Sequence, residues 1–255
     1  MNKTWLIGET NWQIVKKSDY QIVVLPWGAT DAHNYHLPFA TDNFQNEYVA
    51  DKAAEIAWNK GSKVAVLPNI PFGVNTGQLN LQLTINLNPS TQQFILNDIA
   101  GTVYRQGYRK FVILNGHGGN DFKQMIREVQ ARYNDMMLFQ VNWYLAAPWK
   151  DYFEDMGEHA GESETSAMMI IRPDLIAPLE TAGDGKNKTL IFKGRQEGWL
   201  WAPRPWSIVT SDTGIGNPKK ASHEKGQRYL DDCIRKVAEF FIEMANVKKM
   251  NEMYE

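Results

Sequence analysis

Short apolar runs alternate with amphipathic stretches along the chain. Ile22, Val23, Val24 and Leu25 form one run, closed by Pro26, and residues 63–67 form a second, closed by Pro68. Phe111, Val112, Ile113 and Leu114 form a third, and residues 137–141 a fourth. Runs of this length with turn formers at their ends predict buried strands. Between them, apolar positions recur at helical spacing. Val49, Ala53, Ile56 and Ala57 predict a helix over about 45–60. Ser90 and Gln93 predict a capping box that opens a helix with Ile95, Ile99 and Val103 as its buried stripe and Gly107 as its stop. Phe122, Ile126, Val129 and Tyr133 mark a further helical face, and residues 164–171 predict a short buried helix ended by Pro173. Leu230, Cys233, Ile234, Val237, Phe241 and Met244 repeat at three and four residues and predict a C-terminal helix. Residues 81–87 alternate polar and apolar side chains as a half-buried strand does. Strands and helices in alternation, with continuously apolar strands, predict an α/β fold whose parallel sheet is covered on both faces.

Composition narrows the class. The 255 residues carry no internal repeat or linker, so one domain over 1–255 is expected. With 43% hydrophobic and 12% aromatic residues the chain is too apolar to be disordered. Lys plus Arg is 27 and Asp plus Glu is 29, a formal charge of −2, which argues against a nucleic-acid partner. No apolar stretch approaches the ~20 residues that span a bilayer, and the first residues do not resemble a signal peptide, so a soluble, cytoplasmic protein without a membrane partner is expected. The single Cys excludes an internal disulfide and a thiolate metal site. It falls on the buried stripe of the last helix and reads as core.

The five His residues are distributed differently. In parallel sheets, ligands bind outside the carboxyl ends of the strands. Three polar clusters follow apolar runs, at 28–42, 115–120 and 158–166. The first holds Asp31, His33, His36 and Asp42; the second reads Asn115-Gly-His-Gly-Gly-Asn120; the third holds Glu158, His159, Glu162 and Glu164. Four histidines and five carboxylates therefore meet at the expected mouth of the sheet. Imidazole with carboxylate suits zinc, manganese or iron better than calcium, and so many groups exceed what one four-coordinate ion needs. Singly, each group has a plainer reading: Asp42 as a helix cap, the Asn115–Asn120 loop as an anion nest, Glu162 and Glu164 as complements to a helix N-terminus. Gly-x-Ser-x-Gly and Gly-x-Gly-x-x-Gly are both absent from the chain.

Together the clusters resemble the creatinine amidohydrolase (creatininase) family. The resemblance rests on the segment from Gly28 to Asp42 with its His-Leu-Pro and Thr-Asp elements, on Asn115-Gly-His117 and on Glu164-Thr-Ser166. A fourth match is Thr213-Gly-Ile-Gly-Asn-Pro218 followed by Ser222-His-Glu-Lys-Gly226. It implies a three-layer α/β/α fold with a mostly parallel sheet and a homo-oligomer, often a hexamer. It also implies a centre of two divalent ions, zinc, manganese or iron, and hydrolysis of a small-molecule or peptide-derived amide by a metal-bridging hydroxide. By position, Asp31, His33, Asp42 and His117 match metal ligands, with Asp42 as the bridge and Glu164 as a further acidic ligand. His159 matches the catalytic general acid/base; Glu158 beside it, which could fix the tautomer of the ring, and Glu162 join it as catalytic candidates. His36, Asn115, Gly118, Gly119 and Asn120 stand behind the ligands or against the substrate. Asp31 replaces the usual Glu, shortening the reach by ~1.5 Å, and Asn34 and Tyr35 replace the usual Gly-Pro. Gly118 and Gly119 replace a Tyr-Glu pair, and Asp155 stands where true creatininases place a substrate-stacking Trp. These departures argue against creatinine itself, in a family that also contains a deformylase and a peptidase. A non-catalytic member that binds a small ligand or metal is the alternative. The Trp199–Trp206 run, broken by Pro203 and Pro205, reads as packing against a neighbouring subunit rather than as an aromatic lid.

Overall fold

The computed structural model describes residues 3–155 and 157–255. Four strands form its sheet: β1 (Ile22–Trp27), β2 (Val64–Val66), β3 (Lys110–Asn115) and β4 (Met137–Asn142). They pair in parallel in the order β2-β1-β3-β4. The register sets Trp27 opposite Asn115 and Asn115 opposite Asn142, so the carboxyl ends of the three longer strands finish level.

Alternate side chains along each strand enter two different cores. Ile22, Val24, Val64, Val66, Val112 and Leu114 pack beneath three helices, α1 (Thr41–Asn59), α4 (Glu162–Ile171) and α5 (His223–Asn246). Val23, Leu25, Trp27, Phe111 and Ile113 pack against α2 (Pro89–Arg105) and α3 (Lys123–Arg132) on the opposite face. Both faces of β1, β2 and β3 are thus buried, which is why these strands read as continuous apolar runs, while β4 is buried only at Met137 and Leu138. The result is the three-layer α/β/α fold. On α5, Leu230, Cys233, Ile234, Val237, Phe241 and Met244 are all buried, as their spacing predicts.

Three local expectations need correction. Residues 81–87 form no strand. Only an isolated bridge joins Ile85 to Thr30, and Leu83 is 82% exposed with a φ of 61°. Alternation alone cannot make a strand where no sheet edge is offered. The second helix starts at Pro89, with Asn88 rather than Ser90 at its N-cap and no side-chain cap. Proline suits the first helical position because its missing N–H has no intrahelical acceptor there. The buried line of that helix runs through Gln92, Leu96, Ala100 and Val103, and Ile95 and Ile99 are only half-buried. Gln92 sets this rotation, because its amide is hydrogen-bonded to Asn120 in the loop after β3.

The longest helix crosses α4 at a glycine. A Cβ on Gly226 would stand 2.0 Å from the Ser166 carbonyl oxygen. The ~1 kcal/mol of helix propensity that alanine adds over glycine is smaller than the ~1–3 kcal/mol cost of forcing a methyl into a filled contact. Gly226→Ala is therefore expected to lower the thermal midpoint by several degrees, at ~2–4 °C per kcal/mol for a chain of this size. An unchanged midpoint would show that the crossing is looser than this.

Candidate metal centre

Each cluster leaves the carboxyl edge of the sheet and folds back over it. After β1 the chain turns through Asn34, whose φ of 55° asparagine tolerates, and the backbone of His33 bridges that of Leu37. Thr213 accepts from the Asn34 N–H, tying this loop to the Thr213–Pro218 segment. The first helix starts earlier than its apolar spacing predicts. Asp42 therefore lies inside the first turn, where the helix dipole favours a carboxylate. After β3, the Asn115 side chain accepts from the His117 N–H and the Asn120 amide, and donates to the His117 carbonyl. Asn120 in turn accepts from the Val74 N–H. At Gly119 a Cβ would lie 2.3 Å from the Val74 carbonyl oxygen, so this loop admits no side chain there.

At the centre sits the Asp42 carboxylate. Its Oδ1 lies 3.2 Å from His33 Nε2 and its Oδ2 lies 2.7 Å from His117 Nδ1. The other nitrogen of each ring faces a carbonyl that can only accept: His33 Nδ1 is 2.9 Å from the Asp31 oxygen, and His117 Nε2 is 3.2 Å from the Val74 oxygen. Those nitrogens carry the protons, so the nitrogens aimed at Asp42 hold lone pairs unless a second proton or a cation lies between. Glu164 Oε2 is 3.9 Å from His33 Nε2. Asp31 is fully buried, and its Oδ1 has no hydrogen-bond partner.

These residues fit a divalent cation. Among the described residues, three sets of ligand atoms lie mutually within 4.8 Å: Asp31, Asp42 and His117; His33, Asp42 and Glu164; and Asp31, His33 and His159. The donor set, the orphaned buried oxygen of Asp31 and the facing lone pairs all call for positive charge. The electrostatics agree. Burial opposes a charge on His117, but Asp31 and Asp42 outweigh it and push the ring up to about 9. Burial likewise opposes a charge on His33, and the same two carboxylates raise it well above the ordinary range. Burial works against the Asp42 charge too, yet His33 and His117 hold its carboxyl below the usual range. Glu164 is pushed up to about 7, mainly by burial.

His159 stands apart from this pattern. Its backbone forms an isolated bridge with Ile215, its Nε2 lies 2.8 Å from the Ala32 carbonyl, and its ring centroid lies 4.0 Å from that of His33 with the planes tilted by 37°. Burial, and next His33, drive its pKa well below the ordinary value. It is a neutral imidazole with Nδ1 as the basic nitrogen. It lines a cavity of about 780 Å³ together with Asp42, His117, Gly118, Gly119, Glu158 and Glu164.

Other candidates are placed differently. Glu158 turns away from the His159 ring to pair with Arg204 at 2.6 Å, so the Ala32 carbonyl, not Glu158, fixes the tautomer. Glu162 is fully buried, accepts from the Glu154 and Asp155 N–H groups and pairs with Lys225; it braces the loop before His159 and does not line the cavity. His36 bonds Thr165 at 2.8 Å and, pulled down to about 4 mainly by burial, stays neutral behind the site.

Sequence reasoning passed over Gln78, Tyr144 and Arg204, which also line the cavity. Trp206, read there only as packing, sets its ring 4.7 Å from that of His159, and Trp201 joins it in the wall. The proline-broken Trp199–Trp206 run is the visible signal for Arg204 and Trp206; Gln78 and Tyr144 have none.

A pH dependence follows for the metal-free chain. A histidine whose folded pKa is raised stabilises fully below its unfolded value of ~6.5 and loses that contribution as pH rises through the folded value. The thermal midpoint of the metal-free protein should therefore fall between pH 6.5 and 9 by more than that of His117→Gln. Parallel pH profiles would mean that His117 is not protonated between the carboxylates.

The chain is similar to known proteins in sequence and fold. A family model described as creatinine amidohydrolase matches residues 8–241. The creatinine amidohydrolase of Pseudomonas putida is 24% identical over 276 aligned positions, covering 94% of this chain and 96% of that one. The mycofactocin precursor peptide peptidase of Mycobacterium tuberculosis is 26% identical over 230 positions, covering 85% and 84%. Among solved structures, a Bacteroides fragilis protein provisionally named a creatinine amidohydrolase is 43% identical with a TM-score of 0.92, covering 100% of both chains. A manganese form of creatininase is 22% identical with a TM-score of 0.79, covering 95% of this chain and 99% of that one. The chain belongs to the creatininase family of amidohydrolases.

Proposed function

We propose that the protein hydrolyses an amide bond in a small or peptide-derived substrate, with divalent ions held by Asp31, His33, Asp42, His117 and Glu164. The observation that carries this reading is the Asp42 carboxylate facing an imidazole nitrogen on each oxygen, with a further buried carboxylate oxygen of Asp31 left unpaired. Relatives solved in manganese and zinc forms support divalent-metal binding. When bound, such ions lower the pKa of water and polarise an amide carbonyl.

The chain's own residues supply the rest. His159, neutral and hydrogen-bonded through Nε2 to Ala32, has Nδ1 free to take a proton and return it to a leaving nitrogen. The edge of its ring meets Trp206, which limits the directions from which water reaches it. Gly118 and Gly119 leave the wall beside His117 without side chains, and Asp155 is tied to the Gly157 and Asn217 N–H groups. At Gly118 and Gly119 the wall has no side chain with which to grip a small planar ring. This favours an amide other than creatinine. Self-association belongs to the same proposal: Ile191, Trp199 and Trp201 are 90%, 72% and 82% exposed, apolar side chains that a second copy would cover.

The test is a hydrolysis screen of cyclic amides, formamides and short peptides with metal-loaded protein. Turnover should vanish on chelation and return on adding zinc or manganese. His159→Ala should lower kcat by ~10²–10⁴-fold, the usual worth of a general acid or base, with metal content at the wild-type level. Loss of metal in that variant would make His159 a ligand instead. Turnover indifferent to chelation would overturn the proposal.

A further inference from the structure

Asp31 meets one side chain that none of the three ligand sets includes. Gln78 is 2% exposed, and its Nε2 donates to Asp31 Oδ2 at 3.0 Å. A carboxylate only accepts, so the amide orientation is fixed, with the NH₂ group on Asp31 and Oε1 turned away. Asp31 Oδ1 and Gln78 Oε1 are then both buried, and neither has a hydrogen-bond partner. Two unpaired acceptors in one buried pair are costly unless a cation stands near.

The backbone around Gln78 ties it to Asp31. Gln78 ends a helical turn, Thr76–Gln78, with its N–H on the Asn75 carbonyl. The Asn75 N–H donates to Asn86 and its side chain donates to the Ile85 carbonyl. Ile85 bridges Thr30, the residue before Asp31. The short Asp31 side chain is therefore held from two directions, by its own strand exit and by an amide delivered on a loop fastened to that exit.

We propose that Gln78 is a positioning residue for the metal centre: its amide fixes Oδ2 of Asp31 and so presents Oδ1 to the ion. This rests on the metal-dependent reading above. Asp31 belongs to two of the three ligand sets, whereas His33, Asp42 and Glu164 form a set without it. Loss of the amide should weaken one site and spare the other.

The experiment titrates metal-free, full-length protein with Mn²⁺, reading free ion by electron paramagnetic resonance. Gln78→Met should weaken one class of site by ~10–100-fold, the usual effect of removing a group that orients a ligand. The other class and the thermal midpoint of the metal-free protein should stay at wild-type values. In an Asp31→Asn background, adding Gln78→Met should cause no further weakening. If Gln78→Met folds poorly, Gln78→Asn, which keeps the donor and shortens its reach, serves in the same comparison. Wild-type Mn²⁺ binding in the variant, or an undiminished effect in the Asp31→Asn background, overturns the role of Gln78 and leaves the metal-dependent reading intact. A wild-type chain that binds no Mn²⁺ overturns both.

Discussion

Everything at this site depends on one buried carboxylate that two imidazoles face at once. Asp42 is 3% exposed, and each of its oxygens meets a ring nitrogen. A buried charge is tolerated only where its partners are held in place, and the surrounding architecture does that. Asp42 sits in the first turn of a helix, His33 in a turn closed on Leu37, and His117 in a loop stapled by Asn115 and Asn120. The parallel register brings the ends of β1, β3 and β4 level, so these turns converge on the same space.

Much of this was legible in the sequence. The first three strands could be read because burial on both faces makes them continuously apolar, and the last helix because its apolar positions repeat at three and four. The three polar clusters were visible because they directly follow strand-like runs. What could not be read depends on contacts distant along the chain. The rotation of the second helix is set by Gln92 meeting Asn120, a pair that no local pattern announces. Residues 81–87 have the alternation of a strand but serve as a brace, joined to Thr30 only at Ile85. Proline at 89 moved the helix start two residues ahead of the apparent capping box.

The acidic residues around His159 show the same limit. Glu158, Glu162 and Glu164 lie within seven positions, yet they face three different surroundings. Glu158 pairs with Arg204 at the cavity wall, Glu162 anchors the preceding loop through Lys225 and two backbone N–H groups, and Glu164 approaches His33. Their proximity in sequence identifies the site, and helical geometry with long-range partners divides the work among them. Similarly, Trp206 lies forty-seven positions after His159 and still forms the wall against its ring.

The central claim is that the space around Asp42 is built for cations. Anomalous diffraction at the zinc absorption edge, from crystals grown with zinc, tests it directly. The account predicts anomalous peaks among Asp42, His33, His117 and their acidic neighbours Asp31 and Glu164. Crystals that show no peak there, with both imidazoles still hydrogen-bonded directly to Asp42, would contradict it.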